Sequence, residues 1–199
     1  MTKVPTPCID DHLIPVEEFQ VIGHLSAVAA RIVLKALYTA RIARLDILWT
    51  VNLLAREVTR WTAACDRRLH RLICYMHHTD DWYQGCYVGD YASDIVLMLF
   101  SDASFAGDLK DSKSTSGGIL CLVGPNTFVP IAWLCKKQGA VSHSTAEAEV
   151  ISLDAGIRME GLPALYLWDI MIELLDPQDP AKIPQTISLK SQRSASTRC

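Results

Sequence analysis

The sequence predicts a mixed α/β fold: a helical N-terminal stretch, then a small sheet with an antiparallel hairpin and one helix crossing it. Three observations carry this expectation. Apolar residues between positions 19 and 76 recur at helical spacing. After Thr79-Asp80-Asp81 they collect instead into short runs of strand length. Gly124-Pro125-Asn126 separates two of those runs as a turn would, and Ser144-Thr145 opens a new helical stretch.

Taken in order, residues 1–15 hold three prolines and read as a loose lead-in. Residues 19–42 are rich in Ala, Leu, Val and Ile with spaced Arg and Lys, and predict one or two helices. Residues 46–56 predict another. Residues 61–76 form the clearest amphipathic helix: Trp61, Cys65, Leu69, Leu72, Ile73 and Met76 share one face, and Arg67, Arg68 and Arg71 lie away from it. Residues 83–88 and 95–100 read as strands, and residues 117–123 and 128–135 as a hairpin. Residues 145–159 form a helix capped by Ser144 or Thr145. Gly161-Leu162-Pro163 breaks it, and a second helix spans 164–175. Residues 187–189 offer a fourth strand. The domain organisation expected is a lead-in (1–15), a helical connector (16–82), a sheet-bearing domain (83–189) and a frayed tail (190–199).

A chain of 199 residues has room for one ordinary domain, or a small domain with a flanking piece. With 50% hydrophobic and 21% charged residues it can bury a core and is not of disordered composition. A net charge of −3 sets up no global basic field, so any nucleic-acid contact must come from a local patch. The seven cysteines form no C-x-x-C pair and no zinc spacing. They read as reduced thiols, which places the chain inside the cell, in cytoplasm or nucleus. The polar, proline-containing N-terminus does not read as a signal peptide, and no apolar span of about 20 residues is present to cross a membrane.

The residues able to do chemistry lie between 101 and 149. Asp102 follows the apolar run 95–100, as either a turn aspartate or a metal ligand. Glu149 lies early on the helix expected to cross that strand. Glu147 points elsewhere, as a helix-start charge that complements the dipole. Asp108 and Asp111 read as solvated loop acids. Ser114, Thr115 and Ser116, with Gly117, either shape a turn or contact phosphate. Lys136, Lys137 and Gln138 connect hairpin to helix, either as solvated loop or as contacts to a nucleic-acid backbone.

This region resembles the ribonuclease H domain of copia-type retrotransposon polyproteins. The resemblance rests on Ser101-Asp102-Ala103 with Ala106-Gly107-Asp108, on Ser114-Thr115-Ser116-Gly117, on Trp133 with Lys136-Lys137-Gln138, and on Val141-Ser142 with Ser144 and Glu147-Ala148-Glu149. Four motifs in one order are a specific signal. Upstream, Arg44, Asp46-Ile47, Val51, Leu54 and Arg56, then Trp61, Ala63-Ala64, Arg67 or Arg68, Leu69, Arg71 and Tyr75, are similar to the connection segment that follows the reverse transcriptase in those polyproteins. The resemblance implies a ribonuclease H-like mixed sheet. It also implies that Asp102 and Glu149 are catalytic metal ligands for Mg2+ or Mn2+, that Ser114, Thr115, Ser116, Lys136, Lys137 and Gln138 contact an RNA–DNA hybrid, and that the remainder of a polyprotein is a partner. The family's third ligand comes from a later T-I-x-x-D-N-Q strand. Here Thr186-Ile187-Ser188-Leu189 matches its start and Gln192 its end, while Lys190 and Ser191 stand in place of the acid and the asparagine. No last strand, final helix or fourth carboxylate follows, so the expectation is a C-terminally truncated domain with impaired hydrolysis. The alternatives are a decayed inactive remnant and a module that binds nucleic acid without cutting it.

Overall fold

The computed structural model describes residues 1–91, 94–108, 111–175 and 187–191. The chain divides into two compact units, Met1–Gln84 and Gly85–Cys199.

The first unit is helical. A short 3-10 turn at Val16–Phe19 precedes α1 (Ala29–Ile42); α2 (Leu48–Glu57) and α3 (Ala63–His78) follow. Ala29, Val33, Ala36 and Ala40 form one buried stripe on α1, and its small side chains let α2 approach with Leu48, Val51 and Leu54. Asp66, in the first turn of α3, accepts hydrogen bonds from the Trp61 Nε1–H at 2.6 Å and the His24 backbone N–H at 2.5 Å. Arg44 forks onto Asp46 at 2.9 and 2.8 Å and donates to the Thr79 carbonyl at 2.9 Å, while the Tyr75 hydroxyl donates to Asp46 at 3.0 Å. Arg44, Asp46 and Tyr75 of the upstream resemblance thus form one network joining the chain before α2 to the end of α3.

Two expectations for this unit need correction. Arg68 does not lie on a solvated face: it is 5% exposed, bonded to Asp11 at 2.5 Å and stacked over the Phe19 ring. A long side chain can bury its stem when an acid and an aromatic ring meet its head, and helical spacing alone does not register such partners. They come from around the lead-in, which is therefore docked rather than loose. Arg71 donates to the Thr6 carbonyl, and Ile14 is buried.

The second unit is α/β. β1 (Val96–Ser104), β2 (Thr115–Gly124) and β3 (Thr127–Lys137) form an antiparallel meander, and β4 (Ile187–Ser191) runs parallel to β1 on its other side, in the order β3-β2-β1-β4. Pro130 is tolerated because β3 is an edge strand and carries a bulge there, opposite Leu120/Cys121. α4 (Thr145–Gly156) crosses β1 and β2 and buries Ala148, Ser152 and Gly156, spaced four residues apart. A Cβ at Gly156 would stand 3.1 Å from Leu99 Cδ2, so helix and sheet are in close contact there. Leu99, Leu120, Cys121 and Leu134 complete the core.

Here too the structure departs from expectation. Residues 83–88 are not a strand; Tyr87 makes one isolated bridge to Phe128. Aromatic and β-branched content favours a strand only where a partner ladder and a buried face exist, and Tyr83, Tyr87 and Val88 are exposed. Asp102 lies within β1 rather than after it, because β1 continues to Ser104 and pairs Asp102 with Gly117. The break at Gly161-Leu162-Pro163 is a π-helical turn, Ile157–Gly161, leading directly into α5 (Leu162–Leu175). A wide turn absorbs the missing N–H of a proline that falls in the first turn of the next helix. The tail expected to fray from residue 190 begins inside β4; Gln192 and the rest of that tail lie outside the described residues. No helix among the described residues is long and apolar enough to cross a membrane.

Candidate functional site

α4 begins with a serine N-cap and a glutamate that reaches back past it, one residue beyond the usual capping box. Ser144 Oγ accepts from the Glu147 N–H at 3.1 Å, and the Glu147 carboxylate reaches back to the His143 N–H at 2.7 Å. Glu147 is thereby spent on its own helix end, and the cap's pull holds its carboxyl below the usual range. Glu149, two residues on, has no such partner and turns toward β1.

There it meets Asp102. Burial pushes the Glu149 carboxyl above the ordinary glutamate range; the neighbouring Asp102 carboxylate pushes it the same way, and the Ala103 N–H draws it back. Glu149 Oε2 is buried and has no hydrogen-bond partner. An acid held close to a second acid, with one oxygen orphaned, is the arrangement that a cation would relieve. Among the described residues no group of three His, Cys, Asp or Glu side chains gathers as metal ligands. Asp102 and Glu149 are therefore a pair and not a full ligand set. β4 sets Lys190 level with Phe100 and Ser191 level with Ser101, so the residues standing where the third acid was expected lie on the strand beside β1.

The remaining expected contacts separate into two groups. Lys136 is exposed, and Thr115 is half-buried at the start of β2. Lys137 is held by Asp108 at 2.5 Å and Asp111 at 2.8 Å; burial opposes its charge, and the two aspartates outweigh burial and raise its pKa. Asp108 and Asp111 are accordingly not idle loop acids: with Lys137 they tie the loop after β1 to β3. Ser114, Ser116 and Gln138 are buried. Ser114 Oγ accepts from the Ala106 N–H at 3.2 Å, where Ala106 is held at φ 50°. The Gln138 amide donates to Ser116 Oγ at 3.1 Å and to the Ala148 carbonyl at 2.9 Å, and accepts from the Ser142 hydroxyl at 2.8 Å. The sequence expectation that these three touch nucleic acid is corrected on that ground. Their polar atoms point inward: Ser114 ties the loop after β1 to the start of β2, and Ser116 with Gln138 clamps β2, β3 and α4 together.

Sequence reasoning missed Ser152. Its hydroxyl lies 2.6 Å from the Asp102 carbonyl and 3.2 Å from the Gly117 carbonyl, and the Ser101 hydroxyl donates to it at 3.2 Å. The available signal was a serine midway between Ala148 and Gly156 on the buried line of α4.

The chain is similar to known proteins over much of its length. It is 30% identical over 138 residues to a retrovirus-related Pol polyprotein from transposon RE1 of Arabidopsis thaliana, an alignment covering 62% of this chain and 9% of that polyprotein. It is 34% identical over 110 residues to the corresponding polyprotein from transposon RE2 of the same plant, covering 55% of this chain and 7% of the polyprotein. Secreted RxLR effector protein 161 of Plasmopara viticola is 29% identical over 137 residues, 66% of this chain and 84% of that protein. No family model and no solved structure matches. The polyprotein similarities support a retrotransposon Pol polyprotein fragment, spanning less than a tenth of either Arabidopsis polyprotein.

Proposed function

We propose that the second unit is a ribonuclease H-like domain of a copia-type Pol polyprotein, and that the first is its connection segment. The reaction of that domain is hydrolysis of the RNA strand of an RNA–DNA hybrid. The observation that carries the reading is the meeting of Asp102 and Glu149 across β1 and α4, with Glu149 Oε2 buried and unpartnered. Asp102 and Glu149 would hold a divalent cation, Mg2+ or Mn2+; such an ion activates water and neutralises charge on a phosphodiester. Lys136, exposed on β3, supplies a positive charge for a phosphate. Lys137 acts indirectly, through its hold on Asp108 and Asp111 in the loop after β1.

A second reading is favoured by Lys190. Lys190 stands in the sequence where the family's third acid stands, so the pair lacks a third carboxylate, and the domain is a form that holds metal and hybrid weakly and cuts slowly or not at all. A labelled hybrid incubated with Mg2+ or Mn2+ separates these. The expected result is metal-dependent retention of the hybrid, lost in Asp102→Asn, with little or no cleavage. Robust cleavage abolished by Asp102→Asn would establish a working enzyme and overturn the impaired reading. No retention in any metal would leave a decayed remnant.

A further inference from the structure

We propose that Ser152 is the positioning residue that holds Glu149 against Asp102. The inference deepens the proposed function and rests on its reading of those two acids as a metal pair.

The argument begins with what α4 lacks. A helix usually fixes its place on a sheet through large apolar side chains. Here the residues buried from α4 are Ala148, Ser152 and Gly156, too small to key the helix against the strands by shape. Gly156 brings the backbone close to Leu99, and the Gln138 amide holds the Ala148 carbonyl from the β3 side. The side chain of α4 that ties the helix to β1 is Ser152. Its side chain is fully buried, and one hydroxyl hydrogen serves the Asp102 carbonyl at 2.6 Å, with the Gly117 carbonyl at 3.2 Å as a weaker second acceptor. Its oxygen also accepts from Ser101. The helix is therefore tied to the backbone of the residue whose carboxylate Glu149 must meet, and to Gly117, its cross-strand partner.

Ser152 and Glu149 are three residues apart, one turn on the same side of the helix. A hydrogen bond tolerates displacements of a few tenths of an ångström, and a metal pair tolerates little more. Losing the Ser152 hydroxyl removes the restraint toward β1 and leaves two carbonyl oxygens facing a methyl group, while the Gln138 bond to the Ala148 carbonyl stays. α4 then relaxes, and Glu149 swings away from both Asp102 and the Ala103 N–H.

The test uses the full chain and two readouts. Hydrogen exchange at the Ala103 amide reports, without metal, whether Glu149 stays in place. Electron paramagnetic resonance titration with Mn2+ reports the affinity of the pair. Ser152→Ala should speed Ala103 exchange and weaken Mn2+ binding about tenfold, as loss of a supporting hydrogen bond behind a ligand commonly does. Ser142→Ala breaks a buried hydrogen bond on the Gln138 clamp instead, and should lower stability while leaving both readouts unchanged. Should Ser152→Ala fail to fold, Ser152→Cys keeps a side chain of similar shape with a much weaker donor, and should change both readouts in the same direction. Unchanged Ala103 exchange in the folded Ser152 variant overturns the proposal, whatever the metal does. Faster exchange in a protein that binds no Mn2+ upholds Ser152 as the positioning residue and overturns the metal reading of the pair.

Discussion

Replacing Gln138 with Ala decides whether this residue is a nucleic-acid contact or an internal clamp. The side chain is 6% exposed, and the hydroxyls it pairs with, on Ser116 and Ser142, are 2% and 4% exposed. Three hydrogen bonds are lost, at 3.1, 2.9 and 2.8 Å. Each contributes about 1 kcal/mol net, and the two stranded hydroxyls push the total upward, so a loss of about 3–4 kcal/mol follows. Ser142→Ala removes one of the three and costs about 1 kcal/mol. The assay is native-state hydrogen exchange against urea at amides of β2, which reads the second unit by itself. Under conditions where the variant is still folded, its affinity for an RNA–DNA hybrid should equal that of the unmodified chain. A stability loss below about 1 kcal/mol together with weakened hybrid binding would refute the clamp.

Further outcomes follow from the same geometry. Because Glu149 titrates above the ordinary glutamate range, the folded state binds the extra proton, and stability falls as pH rises from that range through the raised value. In EDTA, Glu149→Gln should therefore equal the unmodified chain at pH values below the ordinary glutamate range and exceed it in stability at neutral pH and above, as read by urea unfolding; equal stability at both ends would contradict the burial of this acid. Lys136→Ala should weaken hybrid retention and flatten its salt dependence without changing the melting temperature, and a stability loss above about 0.5 kcal/mol would count against its placement on the surface. Gly156→Ala sets a helix-propensity gain of about 1 kcal/mol against a 1–3 kcal/mol overpacking cost on Leu99. It should destabilise the chain by about 1 kcal/mol and become stabilising in a Leu99→Ala background, a reversal that a double-mutant cycle measures.

The arrangement of the second unit was legible in the sequence because its signals are local. The Gly124-Pro125-Asn126 turn, the serine cap at 144 and the apolar run before Asp102 each act within a few residues, and the hairpin, α4 and β1 form where they indicate. That Asp102 and Glu149 would lie close together was also legible, through motif order. What stayed hidden depends on partners distant in the chain. Lys136, Lys137 and Gln138 look alike as a polar run, yet one is exposed, one is neutralised by two aspartates of the loop after β1, and one is buried. Arg68 read only as lying off the apolar face because Asp11 and Phe19, which bury it, lie some fifty residues earlier. Ser152 was silent because a serine in a helix says nothing until the carbonyls it faces are known.

The most direct test of the central claim is anomalous diffraction from a crystal of the chain soaked in Mn2+. The account predicts one manganese peak at the meeting of β1 and α4, bonded to an Asp102 oxygen and to Glu149 Oε2 at about 2.0–2.3 Å, and lost in Asp102→Asn. A well-ordered crystal with Asp102 and Glu149 in contact and no peak between them, or with manganese bound only elsewhere, would contradict it.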